Sequence, residues 1–446
     1  MGRLRVLMLA PDANPDGITS DLQGYCQSQA LARLHEVTLV VRPHGEVALR
    51  RRQGEVRSVE VIRLPWLERV KAWSARWVFR NNYYNLALQA FLLYPSYVIF
   101  ELWAWRQMRA RIVAGEFDVV LRLQPVTTVT PSPFAFFLRN GPIPLVIGPV
   151  SGGLPWPKGF SQAEKRKGLI YRLRGLYRFM PFARSTYRRA AAIIAGSSQT
   201  YAELTAYSEK LFFLPENGVD RSMCSRTVSN RGSGARLELM FLGGLIRWKA
   251  CDLALRGAAP LLRQDLASFT VVGDGPERCR LEQLTRSLGL DKAVTFCGRL
   301  SHDAAMQRLR SADVLVFPSI HDYGGGVVFE ALALGVVPVV MDFGGPGDIV
   351  HPGVGCKVSL TNETDAVSQI EEILRSLAQD RDRLDRLRRQ GVSYARDCLS
   401  WEAKAQILTS IIYWALGQGP KPESQAPKML RHVEGLLEAP VLREQR

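Results

Sequence analysis

The sequence predicts an α/β protein built from two parallel-sheet domains, and three observations predict it. The chain has 446 residues, beyond the size at which a single core usually stops growing. Short β-branched runs alternate with longer helical patterns from end to end, as they do when crossover helices join parallel strands. A polar, glycine-containing stretch, "RTVSNRGSGAR" at 226–236, interrupts that alternation once, and such clusters mark linkers.

The first domain, read as 1–225, takes "RVLMLA", "EVTLVV", "FDVVLRL", "IPLVIGPV" and "AAIIAG" as its strands. Its opening run is short and has no convincing cleavage site, so it reads as a buried strand and not as a leader. The apolar segment "LALQAFLLYPSYVIFELWAW" at 86–105 is broken by Pro95 and Glu101. Its uninterrupted part falls short of the roughly 20 residues that a membrane span needs. After the linker the second domain, 237–400, restarts the pattern with "LELMFLG", "SFTVVGDG", "AVTFCG", "DVLVFPS" and "VVPVVMD". "SWEAKAQILTSIIYWALG" reads as a last helix at 401–418, and the Pro-, Gln- and Lys-rich remainder, 419–446, reads as a flexible tail.

Composition narrows the function classes. With 47% hydrophobic and 22% charged residues, the chain fits neither wholesale disorder nor a polytopic membrane protein. A formal net charge of +16 attracts anions, whether nucleic acid, acidic lipid or phosphorylated substrates. The seven cysteines are scattered with no CxxC pair, which argues against a disulfide framework or a zinc site and fits a reducing cytoplasm.

The most informative segment is "HDYGGGVVFEALALG" at 321–335. It follows the buried strand "ADVLVF", so its glycines fall in the loop at a strand's carboxyl end, where open α/β sheets bind ligands. Glycines at Gly324, Gly325 and Gly326 let backbone amides approach an anion, and the helix that follows offers unpaired N–H groups. Glu330 falls inside that helix and Asp322 before it. A carboxylate suits a vicinal diol such as a ribose, since each oxygen accepts one hydroxyl; pairing of Glu330 with a basic residue is the plainer alternative. "VVGDGPERCRLEQL" repeats the strand, glycine turn and helix at Gly273 and Gly275. "FLGGLIRWKACDLALRGAAPLL" does so again, with Arg247 and Lys249 where the helix starts.

Together "GGLIRWKACDLAL", "VVGDGPE", "VTFCGRLSHDAAMQRLRSADVLVFPS" and "HDYGGGVVFEALALGVVPVV" resemble, in order and spacing, the C-terminal domain of the retaining GT-B enzymes of glycosyltransferase family 4. The likeness covers roughly 237–400; "FDVVLRLQPVTTVTPSP", "IGPVSGGLPWPKGF" and "LPENGVD" extend it more weakly into the first half. The resemblance implies two facing Rossmann-like domains, with a C-terminal helix that crosses back to the first. It implies a nucleotide sugar, UDP- or GDP-linked, on the second domain and an acceptor on the first, with no metal required. By motif position, Glu330 would hold the ribose, Lys249 the diphosphate, Asp322 a sugar hydroxyl, and the amides of Gly325 to Val327 the phosphate and sugar. Three positions depart from the family pattern: Asp322 replaces the usual Glu, Gly244 replaces an Arg that Arg247 could substitute for, and Leu121 stands where a His is common. Arg122 and Thr127 are further candidates for lining the cleft, Arg122 equally a structural partner. Gly152 and Gly153 suit close approach by donor or acceptor, or a tight turn.

Residues 158–190 set ten Lys or Arg against one acid, Glu164, with aromatic and aliphatic residues between. That segment suits an anionic membrane surface or a solvated basic helix; no nucleic-acid reading motif accompanies it. The expectation is a cytoplasmic enzyme at the inner membrane face, transferring sugar to a glycan or lipid-linked acceptor in exopolysaccharide or cell-surface glycan assembly. A non-catalytic partner that binds nucleotide sugar and a nucleotide-sugar epimerase are the alternatives.

Overall fold

The structure, a computed structural model, describes residues 2–17, 20–52, 54–64, 66, 86–141, 143–157, 159–160, 179–225 and 236–422. Most of the basic segment, the linker except Arg236, and the tail beyond residue 422 lie outside them. The chain divides into two compact units, 1–153 with 168–216 and 404–446, and 154–167 with 217–403.

In the first unit the described strands are β1 (Arg5–Leu9), β2 (Glu36–Val41), β3 (Ser58–Val61), β4 (Val119–Arg122), β5 (Leu145–Val150), β6 (Ala192–Ala195) and β7 (Leu211–Phe213). They form one parallel sheet in the order β3-β2-β1-β4-β5-β6-β7. Val6, Leu7, Val120 and Ile147 are fully buried, as strands covered on both faces require. In the second unit β8 (Leu237–Leu242), β9 (Ala267–Val272), β10 (Val294–Gly298), β11 (Val314–Phe317), β12 (Val337–Met341) and β13 (Cys356–Val358) pair in the order β10-β9-β8-β11-β12-β13, again parallel. Both orders reverse beside the first strand of the unit, the Rossmann arrangement, which opens a crevice at the carboxyl ends of β8 and β11.

Helix Leu86–Val113 contains Pro95, and no described helix is long and apolar enough to cross a membrane. Glu101, one of the residues that break its apolar run, is buried with Arg122: Nε donates to Oε1 at 2.7 Å, and Ser132 Oγ donates to the other oxygen. Arg122 is 1% exposed, so of its two readings the structural partner is the one observed. Leu121, 0% exposed in β4, is a core residue. Thr127 bridges Ser151. No disulfide joins the cysteines among the described residues.

The units differ from the 1–225 and 237–400 reading at their borders. Residues 154–167 and 217–225 fall in the second unit, because Phe160 is buried in its core and Val219 bridges Ser400. Helix Trp401–Ala415 belongs to the first unit from Lys404 onward. There His35 Nε2 meets Thr409 Oγ1 at 2.9 Å and Trp414 meets Phe212 edge-on at 5.0 Å. Lys404 is fully buried and donates to the Pro215 carbonyl. Burial lowers its ammonium to about 7, against a smaller opposing pull from Glu216, as desolvation of a charged amine dictates.

Candidate functional site

The crevice at the β8 and β11 ends is where the second unit gathers its polar groups. After β8 the chain makes a single turn, Arg247–Lys249, that stops at Ala250 in the left-handed region, φ +53°. After β11 it runs through His321 and Asp322 to Gly325, φ +55°, which caps the helix Gly326–Ala333. These loops bring Lys249 Nζ onto Asp322 Oδ2, with side-chain exposures of 20% and 14%. Lys249 Nζ also lies 4.8 Å from the centre of the Phe317 ring. The second oxygen, Asp322 Oδ1, accepts the N–H of Gly325 at 3.1 Å. The loop thus presents an ammonium, a carboxylate and the first amides of a helix, which have no partner within the helix. Such a helix start favours anions.

Glycines elsewhere hold this arrangement in place. A Cβ on Gly345 would meet the Tyr323 carbonyl at 2.1 Å, and its N–H donates to the Asp322 carbonyl at 3.0 Å. Gly344, φ +61°, leaves only 2.5 Å between a Cβ and that same carbonyl. The "FGGPG" segment after β12, which opens the helix Gly344–Ile349, therefore packs directly on the Asp322 loop. Gly273, φ +138°, would put a Cβ 1.9 Å from the Gly243 carbonyl, and Gly275 one 2.4 Å from that of Leu245. Leu245 N–H donates to the Asp274 carbonyl at 3.0 Å. Gly273 and Gly275 accordingly let two loops lie backbone on backbone, one of them the loop that carries Lys249. That is a positioning role beside the ligand contact proposed for them.

Arg247 Nε donates to Glu277 Oε1 at 3.0 Å, and Arg280 Nε to Oε2 at 2.5 Å. Burial alone would raise the Glu277 carboxyl, but the hydrogen bonds and charges of Arg280 and Arg247 hold it below its ordinary value. Arg247 therefore stands at the rim, engaged with an acid. At Gly244 an added Cβ would meet nothing nearer than Ile246 at 4.0 Å, so the fold does not demand glycine there.

Glu330 lies one helical turn past Gly326, and its Oε1 accepts from His302 Nε2 at 2.9 Å. The basic partner allowed for in the sequence is thus a histidine, first residue of the helix His302–Arg310. The hydrogen bond to Glu330 is the main cause that raises the His302 imidazole above its ordinary value; burial opposes it. His321, buried, donates from Nε2 to the Leu154 carbonyl at 3.2 Å and stacks on Trp156 at 4.1 Å. Burial lowers it to about 4, so it is a neutral support beside Asp322. Gly152 and Gly153 fall in the first unit. Gly152 exchanges hydrogen bonds with Thr200 Oγ1 at 3.0 Å through both its N–H and its carbonyl, and Gly153 has φ +82°. Sequence reading missed His302, Trp156, His321 and the Gly344–Gly345 helix start; only the last carried a signal, a glycine pair three residues beyond a strand.

The family described as "Glycosyl transferases group 1" matches residues 230–393. A D-inositol 3-phosphate glycosyltransferase of Nocardia farcinica is 31% identical over 176 residues, 38% of this chain and 38% of that protein. A 2-deoxystreptamine N-acetyl-D-glucosaminyltransferase of Streptomyces fradiae is 40% identical over 84 residues, 19% of this chain and 20% of that protein. The chain thus spans well under half of either relative. Among solved structures, HepE of Anabaena in complex with UDP has a TM-score of 0.59 at 16% identity, covering 91% of this chain and 98% of that one. A sucrose-phosphate synthase of Thermosynechococcus elongatus has a TM-score of 0.62 at 15% identity, covering 93% and 100%. The chain has a GT-B fold, and the strands and loops that build the crevice of its second unit fall within the match to the group 1 glycosyl transferases.

Proposed function

We propose that the protein is a glycosyltransferase that takes a sugar from a UDP- or GDP-linked donor and transfers it with retained configuration to a glycan or lipid-linked glycan. The observation that carries this reading is the meeting of Lys249, Asp322 and the Gly325 helix start at the β8–β11 switch point. Anionic diphosphate suits the ammonium and the helix amides, the ribose suits Glu330, and the sugar would lie beside Asp322. In this reading the departing diphosphate gains negative charge where Lys249 and the Gly326 and Val327 amides already stand, the Gly325 N–H being held by Asp322, which is catalysis by preorganised charge. No metal is assigned to the reaction. The match to group 1 glycosyl transferases and the UDP bound to HepE, whose fold this chain shares, support the reading. Assignment to glycosyltransferase family 4 and to exopolysaccharide or cell-surface glycan assembly is part of the same proposal. The test is to incubate the chain with UDP- and GDP-sugars without acceptor. Slow release of free nucleotide and free sugar is expected; return of an isomerised nucleotide sugar would identify an epimerase, and tight binding with no turnover a non-catalytic partner.

The proposed seat is the inner face of the cell membrane, through residues 158–190. Charge balance and interleaved aromatics support it, as does Phe179, 78% exposed. Each basic residue near an anionic surface contributes roughly 1 kcal/mol, screened within a Debye length. Sedimentation with phosphatidylglycerol vesicles should therefore fall steeply with salt. Neutralising Lys165, Arg166, Lys167 and Arg172 together should abolish it; equal sedimentation of variant and wild type would discard the membrane seat.

A further inference from the structure

Glu330 is the acid assigned to the ribose, and among the described residues it has one partner, the Nε2–H of His302 on Oε1 at 2.9 Å. His302 approaches from the solvent side, with its side chain 62% exposed against 26% for Glu330. Its backbone is fixed, because Ser301 caps the helix by accepting the Ala304 N–H at 3.3 Å. A carboxylate oxygen has two acceptor positions, so Oε1 holds the imidazole and still accepts a hydroxyl, while Oε2 takes the neighbouring one. A vicinal diol needs both oxygens in one fixed plane, and a lone glutamate rotates about its terminal torsion.

We infer that His302 is a positioning residue, which locks the Glu330 carboxylate in the plane that receives the ribose diol of the nucleotide sugar. The inference rests on the nucleotide-sugar reading of the site. Its consequence is a pH dependence of donor affinity. The charged groups facing the ring are Glu330, from the helix packed against its own, and Asp303, whose Oδ1 lies 3.9 Å from Nδ1. Both favour the imidazolium, the Glu330 hydrogen bond foremost. The charged form makes the stronger hydrogen bond to a carboxylate, and a bound diphosphate adds further negative charge nearby. Because the imidazole is raised from its ordinary value, the locked state is complete below that value. The charge-assisted bond gives way to the weaker one of a neutral N–H as pH rises through the raised value. Affinity for the donor should fall over that same interval.

The experiment is calorimetric titration of the full chain with UDP-glucose and GDP-mannose between pH 6 and 8.5, where their diphosphate diesters keep a fixed charge. Wild type should bind at least one of them, more weakly as pH rises. His302→Ala should lose about three- to tenfold at the low-pH end, the size of one positioning hydrogen bond, and show no slope. His302→Gln, which keeps a neutral donor without a titration, should bind about as wild type does at the high-pH end and remain flat. Separately, the NMR titration of His302 in the free protein should move back toward the ordinary histidine value in Glu330→Gln. Equal affinity of His302→Ala and wild type at every pH, an unchanged slope in His302→Gln, or an unmoved His302 titration each overturns the inference while the nucleotide reading stands. Failure of wild type to bind either nucleotide sugar overturns that reading and this inference with it.

Discussion

Lys249→Ala is expected to lower nucleotide-sugar affinity and turnover by about ten- to a hundredfold, since a hydrogen bond to a charged group is worth roughly 1.5–3 kcal/mol. The ammonium does not wander in solvent. It is held between Asp322 and the face of Phe317, with its side chain 20% exposed, so little ordering remains to be done when a diphosphate arrives. Removing it leaves Asp322 with the Gly325 N–H as a remaining partner. The stability cost of a lost, partly exposed ion pair should stay near 1 kcal/mol or less. Affinity by calorimetry, turnover and thermal melting on the same preparation check all three statements. Unchanged affinity and rate would remove Lys249 from the site.

Glu330 and Asp322 are expected to divide the donor between them. Glu330→Gln should weaken free nucleotide and nucleotide sugar alike by about 1–3 kcal/mol, the cost of a polar partner left badly paired. Glutamine replaces one carboxylate oxygen with a donor, so it cannot accept both ribose hydroxyls and the His302 N–H together. Asp322→Asn keeps an acceptor for Gly325 but withdraws the charge from Lys249. Free-nucleotide affinity should be preserved, because the ammonium loses a competitor for the phosphates. Turnover should fall, because an interaction that strengthens as charge develops on the sugar shows in the rate more than in ground-state binding. If Asp322→Asn loses nucleotide affinity as badly as Glu330→Gln while its rate at saturating donor is untouched, the division is wrong.

The strands legible in the sequence are those with neighbours on both sides, together with the edge strand β10. Buried on both faces, they read as continuous apolar runs such as "VLVF" and "VPVVM". The strands not legible, β3, β7 and β13, all sit at sheet edges. They are only four, three and three residues long, and β3 is half-buried throughout, so their pattern is too short or too mixed to stand out. The unit borders were hidden for a different reason. Residues 154–160 follow Gly152 and Gly153 of the first unit, yet Phe160 and Trp156 pack with the second, and long-range packing leaves no mark on local periodicity.

The site divides the same way. Asp322, Lys249 and Glu330 were legible because glycines at a strand's end advertise the loop they occupy. His302 was not, since it lies 28 residues before Glu330 in a segment that reads as an ordinary capped helix. Gly273 and Gly275 were legible as glycines, but their duty was not. Only the Gly243 and Leu245 carbonyls, which a Cβ would meet at 1.9 and 2.4 Å, show that they serve loop packing.

The proposed binding of nucleotide sugar in the crevice at the ends of β8 and β11 is tested by amide hydrogen exchange of the full chain with and without UDP-glucose or GDP-mannose. Protection is expected in 243–250 and 321–330, strongest at the Gly325–Val328 helix start, and should disappear in Glu330→Gln at the same ligand concentration. Binding that leaves both segments unprotected, or protects only segments of the first unit, would place the nucleotide sugar elsewhere and overturn the proposed site.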